Sequence, residues 1–246
     1  MKNVIARQFD ANLPGQTLAT RRALFPISVD NDQFTTANII DAVSSFINDF
    51  DEVIFLIADR LQLYNKAEDI GDSATFAQLI RRIGSRMQYV RERTHWLARM
   101  RPLISGGQKV RWKIISIDDV TDAAFFRAYR NVVIAFNTVP EFRNDVQECA
   151  LAHVAKQPRH DPEQARRLAE AYILEEIAIN LRVRVLDGVD AEFYYGKFLD
   201  PLVRLYQGRY DIDVALLAGT ESRARSYRFF VRGRPDQLGA WAELLP

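Results

Sequence analysis

Two apolar stretches indicate the fold class, Ala23-Leu-Phe-Pro-Ile-Ser28 and Val53-Ile-Phe-Leu-Ile-Ala58. The first ends in a small polar residue and the second is hydrophobic on both faces, which is typical of buried strands. Between them, Thr35 or Thr36 is a suitable N-cap for a helix that continues to about residue 50. The order strand, helix, strand predicts the start of a parallel α/β sheet.

The rest of the chain continues this alternation. A helical pattern covers residues 73–101, and further helices begin at Pro140 and at Asp161-Pro162-Glu163, because proline suits a first turn. Three more strands are predicted at Val110-Arg-Trp-Lys-Ile-Ile-Ser-Ile117, Ala191-Glu-Phe-Tyr-Tyr195 and Tyr227-Arg-Phe-Phe-Val-Arg232. The sequence therefore predicts one α/β domain over residues 1–246, Rossmann-like, with a mainly parallel sheet flanked by helices. Its ligand site is expected beyond the carboxyl ends of the strands.

The composition is that of a folded domain with a sizeable core. Of the 246 residues, 48% are hydrophobic and 26% are charged. The apolar runs are far shorter than the roughly 20 residues that cross a bilayer. Asp10 interrupts the N-terminal stretch before the apolar core of a signal peptide develops. We therefore expect a cytoplasmic protein that does not bind membranes.

The sequence offers little support for a metal, a disulfide or a nucleotide cofactor. Cys149 is the only cysteine, which excludes an internal disulfide and a multi-cysteine zinc site. The three histidines, His95, His153 and His160, have no metal-ligand spacing and are interpreted as ordinary surface or helix residues. No Gly-x-Gly-x-x-Gly follows the first strand, and no Walker loop occurs. We therefore expect neither a metal nor a cofactor.

Arginine carries most of the positive charge, although the net charge is only +1. The predicted helix at residues 73–101 contains seven arginines and one acid, Glu92. Arg82, Arg86 and Arg93 fall within about 40° of one another on its surface. Such a stripe suits contacts with a phosphate backbone. A solvated basic face, or a codon bias toward arginine, explains the same stripe without a ligand, but the scarcity of i,i+4 partners favours nucleic-acid contact.

Ser28 lies where the first predicted strand ends, at the edge where a parallel sheet binds its ligand. A serine there can act as a nucleophile if a base or a lowered pKa activates it. The alternative is an ordinary turn or cap residue, which is the commoner role of a serine at a strand end. The Gly-x-Ser-x-Gly motif of α/β-hydrolases is absent around it, which disfavours a standard hydrolase.

Tyr172 and Glu176 are four residues apart in a predicted helix and therefore share one face. Glu175 and Glu176 interrupt an otherwise apolar segment. A carboxylate on the apolar side of a helix must be paired or functional, because burying it alone is costly. The alternative, which periodicity alone favours, is that both glutamates are solvated.

These residues together resemble the signature motifs of the cyclodipeptide synthases, which make diketopiperazines from two aminoacyl-tRNAs. Arg22-Ala-Leu-Phe-Pro-Ile-Ser28 looks like the first signature, with Ser28 at its nucleophile and Asn31 at an asparagine found in one subgroup. Tyr172-Ile-Leu-Glu-Glu-Ile-Ala178 is similar to the second signature, a tyrosine followed four residues later by a glutamate. Tyr195 matches a further active-site tyrosine of the family.

The chain also departs from these signatures. Arg22 replaces a histidine, Pro26 a glycine, and Ala178 a proline, while Gly196 stands where the subgroups carry histidine or proline. The four matching residues nevertheless occur in the family's order and near its spacing. The resemblance rests on this joint occurrence, since each motif alone is loose.

The resemblance implies a fold like the catalytic domain of class I aminoacyl-tRNA synthetases and ping-pong acyl transfer through Ser28, with two aminoacyl-tRNAs as substrates. It implies that Tyr172 and Glu176 hold the α-ammonium group, and that Glu176 accepts a proton from the attacking amine. Tyr195 would relay a proton during cyclisation, and Asn31 would orient a carbonyl or a ribose.

The resemblance also implies two sets of binding residues. The pocket for the first amino-acid side chain would be lined by residues at predicted strand positions, namely Leu24, Pro26, Leu56, Ala58, Ile117 and Phe193. The tRNA would contact Arg82, Arg86, Arg91 and Arg93. Two other functions remain open: a different serine acyltransferase or esterase, and a non-catalytic RNA-binding module in which Ser28 is structural.

Overall fold

The computed structural model describes residues 5–14, 22–28, 34, 38, 50–58, 61, 64, 111–155, 161–183, 189, 191–195, 199–219 and 224–233. The arginine-rich helix predicted for residues 73–101 lies outside these ranges, as does most of the helix predicted to begin at Thr35 or Thr36. The described strands are β1 Ile5–Pro14, β2 Arg22–Ser28, β3 Glu52–Ala58, β4 Arg111–Ser116, β5 Ala191–Tyr195 and β6 Ala224–Gly233. The described helices are α1 Ile117–Val120, α2 Ala123–Thr138, α3 Pro140–Val154, α4 Pro162–Leu181, α5 Asp200–Tyr206 and α6 Val214–Ala218.

The six strands form one sheet in the order β1-β6-β5-β2-β3-β4. The β1–β6 pair is antiparallel, and the pairs β6–β5, β5–β2, β2–β3 and β3–β4 are parallel. This arrangement confirms the predicted mainly parallel sheet flanked by helices. Because its parallel strands run in one direction, the carboxyl ends of β2, β3, β4 and β5 lie at the same edge.

Helices α2, α3 and α4 cover one face of the sheet. The register pairs Leu24 with Ile54, so these side chains project from the same face. Both are buried in one cluster with Ile173 and Ile177 of α4. Each such side chain contributes about 1.5–3 kcal/mol when it is fully buried. The helices are therefore held on this face mainly by apolar packing.

Aspartates and prolines mark the starts of the long helices. The Asp122 carboxylate accepts the backbone N–H groups of Ala124 and Phe125 at the start of α2. Asp161 caps α4 in the same way, and Pro140 and Pro162 occupy the first turns of α3 and α4. Arg182, just beyond α4, donates to Asp122, and this hydrogen bond is the main cause that holds the pKa of Asp122 well below its ordinary value. This hydrogen bond links the end of α4 to the start of α2.

One predicted strand end is wrong, and one strand was not predicted. The third strand ends at Ser116, so Ile117 is the first residue of α1 and the prediction of Ile117 as a strand residue is wrong. The cause is local, since the Asp119 carboxylate accepts both the backbone N–H and the hydroxyl of Ser116 and turns the chain into the helix. Strand β1, which the sequence analysis did not predict, pairs with β6. Helix α5, Asp200–Tyr206, was not predicted either.

Arg22, which stands in place of the signature histidine, takes part in an ion pair at the amino edge of the sheet. Its Nε donates to Glu52 Oε2 at 2.5 Å, and Arg111 Nε lies 4.0 Å from the other carboxylate oxygen. Glu52 is only 9% exposed. Because β2 begins at Arg22 and ends at Ser28, this pair lies at the opposite edge from the predicted nucleophile.

We expect Glu52→Gln to lower the free energy of unfolding by about 1–3 kcal/mol, because it leaves a half-buried guanidinium without its charged partner. Urea denaturation followed by circular dichroism measures this change. Glu163→Gln is the matched control, since it removes a carboxylate that pairs with Arg166 and Arg167 in an exposed position. Equal losses for the two variants would show that burial of the Glu52 pair contributes nothing.

Candidate active site

Ser28 is the last residue of β2, at the carboxyl edge of the sheet, as the sequence predicts. Pairing of β2 with β3 continues to Ser28 and Ala58. On its other side, the described pairing of β2 with β5 consists of Ala23 with Ala191 and Leu24 with Glu192. Ser28 therefore lies at the edge of the sheet beyond which open parallel sheets usually bind their ligands.

Pro26 lies in the part of β2 beyond the described pairing with β5. Proline has no backbone N–H, so it weakens strand pairing on the side that its nitrogen faces. Pairing with β3 passes through Pro26 and Leu56, whereas the described pairing with β5 ends at Leu24 and Glu192. Pro26, which replaces the signature glycine, is thus compatible with a strand whose described pairing with β5 ends before it.

Tyr195 ends β5, the strand next to β2, and β5 runs parallel to β2. Its backbone pairs with Arg232 of β6. Ser28 and Tyr195 therefore both end parallel strands at the same edge of the sheet. Phe193 lies in the same strand, two residues before Tyr195.

Helix α4 places Tyr172 on the same face of the sheet as Ser28. Leu24, Pro26 and Ser28 alternate along β2 and so share one face. Leu24 belongs to the buried cluster, and Tyr172 and Ala58 pack against that cluster. The two predicted signatures, one on a strand and one on a helix, are thus brought to one side of one sheet.

Tyr172 and Glu176 interact directly within α4. Burial is the main cause that raises the pKa of Tyr172 well above its ordinary value, and the negative charge and hydrogen bond of Glu176 raise it further. The Tyr172 hydroxyl therefore stays protonated and donates to the Glu176 carboxylate. The four-residue spacing predicted that the two side chains share a face, and this is confirmed.

Two other aromatic side chains border the Tyr172 ring. The Tyr64 ring lies 6.4 Å from it between centroids and is perpendicular to it, at 90°. The His153 ring, from α3, is nearly parallel to it, at 6.3 Å and 9°. His153 is an exposed helix residue, as predicted, but its contact with Tyr172 was not predicted.

The interpretation of both glutamates as solvated is wrong for Glu175, which is 6% exposed. Its Oε2 accepts a hydrogen bond from the Tyr64 hydroxyl at 2.5 Å. Glu175 also acts on Tyr129 of α2, whose pKa is raised mainly by burial and further by the Glu175 charge. The signal that could have revealed Glu175 was its position in an otherwise apolar segment of α4.

The residues expected to line the first side-chain pocket differ in their surroundings. Leu24, Leu56 and Ile117 are fully enclosed in the hydrophobic cluster, with Ile117 on α1 rather than on a strand. Pro26 and Ala58 are half-buried near the carboxyl edge, next to Ser28 in the register. Asn31 lies outside the described residues, and so do Arg82, Arg86, Arg91 and Arg93.

Solved structures with the same fold are cyclodipeptide synthases. AlbC, a cyclodipeptide synthase from Streptomyces noursei, matches with a TM-score of 0.61 and 18% identity, covering 90% of this chain and 99% of that chain. The fold is therefore that of the cyclodipeptide synthases. A cyclodipeptide synthase from Fluoribacter dumoffii matches with a TM-score of 0.59 and 16% identity, covering 92% of this chain and 99% of that chain.

A Mycobacterium tuberculosis protein also has the cyclodipeptide synthase fold, and its structure is described as demonstrating that cyclodipeptide synthetases are related to type I tRNA synthetases. It matches with a TM-score of 0.61 and 18% identity, over 82% of this chain and 84% of that chain. This likeness confirms the predicted synthetase-like fold. No protein-family model matches the sequence, and no curated protein matches it either.

None of the helices within the described ranges is long and apolar enough to cross a membrane. Among those same residues, no group of three or more histidine, cysteine, aspartate or glutamate side chains is arranged to hold a metal ion.

Proposed function

We propose that this protein is a tRNA-dependent cyclodipeptide synthase with Ser28 as its nucleophile. The observation that carries the proposal is the hydrogen-bonded Tyr172–Glu176 pair, which lies on the same side of the sheet as Ser28 in a chain with the cyclodipeptide synthase fold. A serine at the carboxyl edge of a parallel sheet is suitably placed for acyl transfer. Aminoacyl-tRNA esters are already activated, so the reaction requires no nucleotide.

In the first step, the Ser28 hydroxyl attacks the ester carbonyl of one aminoacyl-tRNA. The bond between that carbonyl and the terminal ribose oxygen breaks, and the ribose oxygen leaves with a proton as free tRNA. The product is an aminoacyl-Ser28 ester. Splitting a difficult reaction through such an intermediate is the general advantage of nucleophilic catalysis.

In the second step, the amine of the aminoacyl-Ser28 ester attacks the ester of a second aminoacyl-tRNA, which forms a peptide bond and releases the second tRNA. The free amine of the resulting dipeptide then attacks the ester to Ser28. The second peptide bond closes the ring, and the Ser28 hydroxyl is regenerated. Tyr195, at the same edge as Ser28, is the residue that we assign to proton relay in this cyclisation.

Tyr172 and Glu176 supply the binding site for the α-ammonium group in this proposal. A charged hydrogen bond to a carboxylate is about twice as strong as a neutral one, and it strengthens where water is excluded. When the bound ammonium loses its proton to become a nucleophile, the same carboxylate can accept that proton. The arginines at positions 82, 86, 91 and 93 are the residues that we assign to contact with the tRNA phosphates.

Product analysis tests the function directly. We expect bacteria that express this protein to release a cyclic dipeptide that mass spectrometry detects in the medium and that is missing from vector-only cultures. With purified protein, the same product should form from a charged tRNA pool without added ATP, and ribonuclease treatment of the pool should prevent it. If no product forms from a complete aminoacyl-tRNA pool, the function as a cyclodipeptide synthase is wrong. RNA binding without product would then favour the non-catalytic RNA-binding module.

A further inference from the structure

Glu175 is a buried carboxylate that the mechanism above does not use. It directly precedes Glu176 in α4, yet it contacts a different neighbour, the Tyr64 hydroxyl, at 2.5 Å. Tyr64 lies 111 residues before it in the sequence, shortly after the carboxyl end of β3. The hydrogen bond therefore joins α4 to the segment that follows the edge of the sheet where Ser28 lies.

The Tyr64 ring also contacts the Tyr172 ring, with perpendicular planes and centroids 6.4 Å apart. A perpendicular arrangement is a favourable geometry for two aromatic rings, and such pairs contribute more stability than their buried area alone accounts for. The Tyr64 hydroxyl is hydrogen-bonded to Glu175, so the Tyr64 ring has little freedom to move away from Tyr172. Contacts thus run from Glu175 to Tyr64, from Tyr64 to Tyr172, and from Tyr172 to Glu176.

We propose that Glu175 is a positioning residue, which holds the Tyr64 ring through its hydroxyl and thereby fixes the Tyr172 ring for binding of the α-ammonium group. This inference rests on the proposed function. In this role, Glu175 does not touch the substrate, and its effect passes through Tyr64. A buried carboxylate would otherwise be a costly choice for a helix position that an apolar side chain could fill.

The burial of Glu175 and the effect of its charge agree with this role. Its side chain is 6% exposed, so the hydrogen bond to Tyr64 is protected from competition with water. The pKa of Tyr129 is raised mainly by burial and also by the Glu175 charge, so its hydroxyl stays protonated. Tyr129 stacks on Phe125 with centroids 5.9 Å apart, which places a packed aromatic pair of α2 beside this end of the contact chain.

The test compares two substrates that differ only at the α-amine. Aminoacyl-tRNA carries the ammonium group, and N-acetylaminoacyl-tRNA does not. The measured quantity is the selectivity, defined as the kcat/KM for Ser28 acylation by the first substrate divided by that for the second. A residue that only stabilises the fold changes both rates equally and leaves the selectivity unchanged, whereas a residue that positions Tyr172 changes the selectivity.

Tyr64→Phe is the main variant, because it keeps the ring and removes the hydroxyl. We expect it to lower the selectivity about tenfold, which corresponds to one well-formed hydrogen bond. Glu175→Gln keeps the shape and a weaker acceptor, and we expect a drop of about threefold. In the double variant the selectivity should match that of Tyr64→Phe alone, because Glu175 acts only through the hydroxyl.

A matched control exists elsewhere in the chain. The Tyr210 hydroxyl donates to Asp145 at 2.5 Å, which is the same kind of tyrosine–carboxylate hydrogen bond. Tyr210→Phe should therefore lower the melting temperature as Tyr64→Phe does, but leave the selectivity unchanged. Calorimetry on each purified variant provides the melting temperatures.

Three results would overturn the inference. If both variants keep the wild-type selectivity, Glu175 has a structural role only. If Glu175→Gln lowers the selectivity in the Tyr64→Phe background as much as in the wild type, Glu175 contacts the substrate itself. If the wild-type protein does not form an acyl-Ser28 ester with either substrate, the proposed function is wrong, and the inference falls with it.

Discussion

Ser28→Ala is expected to reduce cyclic-dipeptide formation by at least about 10³-fold, because in the proposed mechanism it removes the oxygen to which the first aminoacyl group becomes attached. The alanine side chain fits where serine lies, so the strand and its pairing with β3 should persist. Mass spectrometry of the reaction measures the product, and mass spectrometry of the intact protein measures the acyl-enzyme. With wild-type protein and one aminoacyl-tRNA, the protein mass should increase by one aminoacyl group, and with Ser28→Ala it should not.

Ser116→Ala is the matched control for this prediction. Ser116 also ends a parallel strand of the same sheet, where its hydroxyl donates to Asp119 at 2.9 Å. Its loss should lower the free energy of unfolding by about 0.5–2 kcal/mol, as loss of a helix cap does, and product should still form. Product that persists with Ser28→Ala would show that no covalent intermediate forms at this residue.

Glu176→Gln should lower kcat/KM for Ser28 acylation by aminoacyl-tRNA by about 10- to 100-fold, because the charged hydrogen bond that we propose between Glu176 and the α-ammonium group would be replaced by a neutral one. Acylation by N-acetylaminoacyl-tRNA, which has no ammonium group, should change little. The pKa of Tyr172 should fall when the Glu176 charge is removed. Burial is the larger cause of its increase, so this pKa should stay above its ordinary value. Single-turnover kinetics and ultraviolet titration of the tyrosine measure these effects.

The control for Glu176→Gln lies on the same helix. Glu170 pairs with Arg166 in α4, so Glu170→Gln removes a carboxylate of the same type six residues before Glu176. Its acylation rates should equal those of the wild type with both substrates. Equal losses with the free and the acetylated substrate for Glu176→Gln would mean that Glu176 does not recognise the ammonium group.

Local sequence patterns were sufficient to predict much of the fold. The apolar runs of β2 and β3, and the Asp-Pro start of α4, are patterns that a single segment determines by itself. β1 was missed, although Phe9, Ala11 and Leu13 alternate there with polar residues. Its identity as a strand depends on pairing with β6, which lies more than two hundred residues later.

In the candidate site, too, local sequence patterns predicted some features and missed others. The spacing of Tyr172 and Glu176 within one helix was enough to predict that they share a face. The position of Glu175 in an apolar segment indicates burial, but its partner Tyr64 belongs to a distant segment and could not be predicted from that position. Ile117 was misplaced for a different reason, since one carboxylate at Asp119 decides where β4 ends. The periodicity of a sequence predicts neither contacts between distant segments nor helix starts that a single side chain determines.

The Arg22–Glu52 pair and Ser28 occupy opposite ends of the same strand. At roughly 3.3 Å per residue, the two ends of β2 are about 20 Å apart. Changes at one end are therefore expected to add independently to changes at the other. For engineering, this separation means that substitutions at the amino end of β2 can raise thermal stability without changing the residues around Ser28. Stability gained there gives the protein tolerance for destabilising substitutions around Ser28, including those made to change the amino acids used in the proposed reaction.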